Sequence, residues 1–106
     1  MFKLQSVHGT RDGDRLIVRA LLSDTSSILT LDMVFAVGSP TSLVSGAWQW
    51  TRTGEIQTGT ISARSVTFLG GQDGPPSLGG TFDLRDAGNQ ARYRVTLPLA
   101  EIRSRL

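Results

Sequence analysis

Along most of this chain apolar and polar residues alternate one by one, the period of a strand with one face in a core and the other in water. The clearest case is Gly79 to Leu99, GGTFDLRDAGNQARYRVTLPL. Phe82 and Leu84 flank Asp83, and Ala91, Tyr93, Val95 and Leu97 alternate with Arg92, Arg94 and Thr96. Between the halves, Asp86-Ala87-Gly88-Asn89 has turn chemistry: an Asp to close an Asx turn, and Gly88 or Asn89 for a left-handed position. A four-residue loop predicts a hairpin in which Arg85 faces Gln90, Leu84 faces Ala91, Asp83 faces Arg92, Phe82 faces Tyr93 and Thr81 faces Arg94. A slip of one residue would set Phe82 opposite Arg92 and turn an apolar row to water, so loop and pattern agree on one register.

The rest of the chain reads the same way. Met1 to His8 alternates Phe2 and Leu4 with Lys3 and Gln5, and Gly9 to Asp14 turns the chain. In Arg15 to Leu22, Leu16, Val18, Ala20 and Leu22 share one face while Ile17, Arg19 and Leu21 share the other, which predicts cover on most of both sides. Ser23 to Ser27 is a second turn. Ile28 to Val37 places Leu29, Leu31, Met33, Phe35 and Val37 on one row, and Gly38 to Ser42 breaks it at Pro40. A loop to Gly46 follows, then Trp48 and Trp50 on a common face. Thr53-Gly54-Glu55 is a tight turn, and Ile56 to Phe68 forms one or two strands. Gly70 to Gly80 is a loop with five glycines and two prolines. Glu101 to Leu106 frays from the last strand. No segment has a helical period and no repeat is present.

Seven or eight short strands with turns every eight to twelve residues predict an all-β domain, specifically an antiparallel β-sandwich of the immunoglobulin or fibronectin type III kind. At 106 residues the chain supplies one core. With no cysteine, disulfides, thiol catalysis and cysteine-bound zinc are excluded, and the core alone must stabilise the fold. No apolar run resembles a signal peptide or a membrane span, so a cytoplasmic location is expected. The net charge is +2, and ten arginines stand against the single Lys3. Arginine makes bidentate contacts to carboxylates and phosphates. No basic run is interleaved with aromatics, however, so nucleic-acid binding is not expected.

Few residues suggest chemistry. His8 is the lone histidine; as a general base it would need Ser6 as nucleophile and Asp12 or Asp14 to orient it. It reads more simply as a strand-end histidine facing water. Asp12 and Asp14 offer too few ligands for a calcium loop. Gly70, Gly71 and Gly74 invite comparison with a phosphate cradle, but Pro75 and Pro76 remove donors and a strand follows where a helix should. Trp48 and Trp50 are candidates for a stacking platform, against burial in the core. Arg92 and Arg94 point outward together, with Asp83 expected to face Arg92 across the hairpin.

The run GGTFDLRDAGNQARYRVTLPLAEI resembles the C-terminal strands of ApaG-like domains. Gly80, Phe82, Leu84, Gly88, Tyr93, Val95, Leu97 and Pro98 occupy matching positions over about a quarter of the chain. The family's Gly-x-Gly-x-x-Gly motif is incomplete, because Leu69 stands at the first glycine before Gly70, Gly71 and Gly74. The resemblance implies a sandwich fold and a small interaction domain rather than an enzyme.

The expected function is therefore a non-catalytic module that needs no cofactor or metal. It would bind a protein partner, or a second copy of itself, through a sheet edge or through the loops at Gly38 to Gly46 and Gly70 to Gly80. The alternative is a small-ligand or carbohydrate site at Trp48 and Trp50.

Overall fold

The computed structural model describes residues 2–38, 40–70 and 76–104. Strands β1 (Lys3–Asp12), β2 (Arg15–Ser23), β3 (Ser27–Ala36), β4 (Ser42–Arg52), β5 (Glu55–Leu69), β6 (Ser77–Arg85) and β7 (Ala91–Glu101) follow one another as a meander. Each hydrogen-bonds to the next, antiparallel throughout, in one curled sheet that forms a half-barrel. The two-residue β8 (Arg103–Ser104) continues β7 beyond Ile102 and pairs in parallel with β1, His8 opposite Arg103 and Gly9 opposite Ser104.

The all-β expectation holds, and so does the number of strands. The two sheets of a sandwich are not what the pairing describes, since hydrogen bonding runs unbroken from β7 to β1 among the described residues. Curling lets one sheet face itself. Phe35 on β3 meets Phe82 on β6 edge to face across the interior, with ring centroids 6.2 Å apart. Around this pair the inward rows of β2 (Leu16, Val18, Ala20, Leu22) and β3 (Leu29, Leu31, Met33) bury with Trp48, Leu78, Leu84 and Leu97. The bend is distributed over bulges, with one extra residue at Gln5, Val44, Arg64 and Arg92 and another between Leu97 and Ala100.

Several boundaries move from the sequence reading. β1 extends to Asp12, so the first turn is only Gly13-Asp14, with Gly13 at φ 62° to reverse the chain. β2 is covered on one side: Ile17 on its outer face is 51% exposed. β4 starts at Ser42, which shortens the expected loop to Gly46, and β6 starts at Ser77. β5 is a single strand bulged at Arg64. Glu101 to Ser104 do not fray, because Ile102 is buried and its N–H donates to the Pro76 carbonyl at 2.8 Å, while Arg105 and Leu106 lie outside the described residues.

The last hairpin keeps its faces from Tyr93 onward but not its register, and Ala91, expected inward opposite Leu84, is exposed opposite Arg85. Asn89 takes the left-handed conformation (φ 64°), the Asp86 amide donates to the Gln90 carbonyl, and the Asn89 amide donates to the Asp86 carbonyl. The loop is thus three residues long, and Arg85 pairs with Ala91. The bulge at Arg92 then brings Tyr93 opposite Leu84, Arg94 opposite Asp83 and Val95 opposite Phe82. The total shift of two residues preserves inside and outside, which is why the alternation alone did not reveal it.

Candidate functional site

The two tryptophans share the inner face of β4 and part company in burial. Trp48 is 2% exposed, and its Nε1–H donates to the Arg85 carbonyl at 2.9 Å. That bond crosses β5 at Gly59, where a Cβ would collide with both the indole and the carbonyl. The Tyr93 ring stands edge-on to Trp48 with centroids 6.0 Å apart. Trp48 is core, so it offers no stacking platform.

Trp50 lies two residues nearer the end of the half-barrel and is half-buried. With Phe2, Leu29, Tyr93 and Val95 it lines a hollow of about 340 Å3, beside the turn from β2 to β3. Asp24, Arg52 and Arg94 also line it. Asp24 Oδ1 accepts from the Ser26 and Ser27 amides and from Ser27 Oγ, and these bonds hold its carboxyl below the usual carboxylate range.

One wall of the hollow is β7, whose far side has no strand partner from Tyr93 to Leu97 among the described residues. Bulges bound this stretch at both ends, and Pro98, which lacks a donor, suits an edge strand. On the outer face, Asp83 is buried beneath two arginines. Arg64 Nε donates to Oδ2 at 2.8 Å and Arg94 Nε to Oδ1 at 3.2 Å. Burial pushes the Asp83 carboxyl upward, but Arg94 and Arg64 outweigh it and hold the group below the usual range. Arg85 Nε reaches Ser62 Oγ at 2.9 Å, and Arg92 lies 3.9 Å from Asp86. Around Asp83, three guanidinium groups (Arg64, Arg85 and Arg94) against one carboxylate leave an excess of two positive charges.

The expected Asp83–Arg92 pair is therefore corrected to Asp83–Arg94, with Arg64 added. Arg64 escaped the sequence reading because a bulge residue obeys no alternation. Phe2 was equally silent, since only the curl brings it to Trp50, whereas Arg52 lies two residues beyond Trp50 on β4 and shares its face by strand period. Gly70 is exposed just after β5, while Gly71 and Gly74 lie outside the described residues. His8 and Ser6 share the outer face of β1, yet no hydrogen bond joins them among the described residues. The cross-strand neighbour of His8 is Arg19, which gives Nε to Asp32 at 2.7 Å. Among the described residues no three His, Cys, Asp or Glu side chains cluster to hold a metal. Comparison of the chain with protein-family models, with curated proteins and with solved structures returned no match.

Proposed function

We propose that this chain is a non-catalytic module that binds another protein along the open edge of β7. The observation that carries this reading is the stretch Tyr93–Leu97, an extended backbone with one side paired to β6 and the other without a strand partner among the described residues. Such a row of amide donors and carbonyl acceptors accepts an added strand. The resemblance of the same hairpin to ApaG-like domains belongs to this proposal, which does not depend on an immunoglobulin-like arrangement. Among the described residues no helix is long and apolar enough to cross a membrane, which is compatible with the cytoplasmic setting we assign.

Self-association is the weaker form of edge binding. β1 is bulged at Gln5 and partly covered by β8, and β7 is bulged at both ends, so neither edge offers a long straight ladder to a second copy. The test is amide hydrogen exchange on the chain alone and in complex with a captured partner. Slowed exchange at Tyr93–Leu97 in the complex is expected; slowing confined to other strands would exclude this edge.

A second reading is favoured by the hollow itself: a small ligand bound against Trp50. In a Trp48→Phe background, a ligand there should change the emission of Trp50. An unchanged spectrum on saturation would place the ligand elsewhere.

A further inference from the structure

We infer that the β7 edge takes an extended acidic segment whose side chains alternate between carboxylate and apolar groups. This rests on the edge-binding reading and adds the chemistry of the partner. A strand laid along Tyr93–Leu97 continues the pleat of the sheet, so its own side chains alternate between the two faces. On the outer face they come beside Arg94, which shares Asp83 with Arg64. On the inner face they come over the hollow, where Phe2, Trp50 and Tyr93 present aromatic surface.

Charge selects the partner on the outer face. Arg94 commits Nε to Asp83 but leaves 58% of its side chain exposed, and Arg64 leaves 55%. A guanidinium carries five N–H donors, so each retains capacity for a further carboxylate. Arg92 holds Asp86 only at 3.9 Å. Opposite charges across strands stabilise and like charges destabilise, so a lysine-bearing strand is rejected where a glutamate-bearing one is accepted. Besides Asp24, Arg52 and Arg94, the hollow is lined by Phe2, Leu29, Trp50, Tyr93 and Val95, an apolar wall suited to a leucine or valine side chain.

The test uses the intact chain, labelled for amide NMR, and three synthetic peptides: a capped Glu-Leu-Glu-Val-Glu-Leu, the same with lysine for glutamate, and the acidic peptide with a central proline. The acidic peptide is expected to bind about tenfold more tightly than the lysine peptide, as the summed charge pairs imply. Shifts should fall on Tyr93–Leu97 and the Trp50 indole, and binding should weaken with added salt. The proline peptide, which lacks a central donor, should bind poorly. Arg94→Gln should weaken the acidic peptide severalfold, and Arg64→Gln gives a second charge-removing variant. Equal binding of the lysine or proline peptide, or shifts away from β7, would overturn the inference. If the lysine peptide shifts Tyr93–Leu97 and the acidic one does not, acidic recognition falls while edge binding stands. If no peptide of any composition shifts that stretch, both fall.

Discussion

At Gly59 three strands come closest together, because the Trp48 indole must pass it to reach the Arg85 carbonyl. Gly59→Ala overfills this crossing and separates donor from acceptor, so a loss of roughly 2–4 kcal/mol is expected in urea unfolding, with a red shift of Trp48 emission. Wild-type stability in that variant would mean the indole bond contributes nothing. Asp83 makes a different kind of contribution. Its carboxyl is depressed by Arg94 and Arg64 despite burial, so the stabilisation it provides is present at neutral pH and is lost as pH falls through its folded value. Asp83→Asn should therefore unfold more readily than the parent at pH 7, and the gap should close on acidification below about pH 4. A gap that persists unchanged at low pH would show that the loss comes from shape rather than charge.

At the scale of the element, β7 and β8 show how one strand serves two ends of the sheet. The first half of β7 follows the period-two pattern that made it legible, and the Asp86–Asn89 turn chemistry located the reversal. The register was not legible, because the shorter loop and the bulge at Arg92 together shift the pairing by two residues and leave Tyr93, Val95 and Leu97 facing inward. Nor was the docking of the C-terminus. Ile102 stands alone among polar residues, and its partner, the site at Gly9, is distant in sequence. A Cβ at Gly9 would strike Ile102, so the fit there is close. Ile102→Ala is expected to cost about 2–5 kcal/mol, with faster amide exchange at Ile102 and Arg103. If Ile102→Ala is as stable as the parent, β8 is an ornament rather than a closure.

Across the molecule, strand pairings among the described residues are of two kinds. The six antiparallel ones join strands adjacent in the chain, whereas the β1–β8 pairing joins strands far apart in it. Closing so long a loop is entropically costly until the hairpins exist. The meander should therefore form before the ends meet, and Ile102→Ala should speed unfolding while leaving the folding rate nearly unchanged in stopped-flow kinetics. A slowed folding limb would place the closure in the transition state instead.

The amino-acid sequence determined the strands and most turns, because strand period and turn chemistry are local: Leu29 to Phe35 alternate whatever they later touch, and Thr53-Gly54 reverses the chain wherever it lies. It also determined that Trp48 and Trp50 share a face. Tertiary structure alone decided that the sheet curls on itself, that Trp48 is enclosed while Trp50 borders a hollow, and that Arg64 and Arg94 cover Asp83. These outcomes depend on bulges and on contacts between distant strands. An inward row looks the same in a sandwich and in a half-barrel, and only the curvature of the sheet chooses between them.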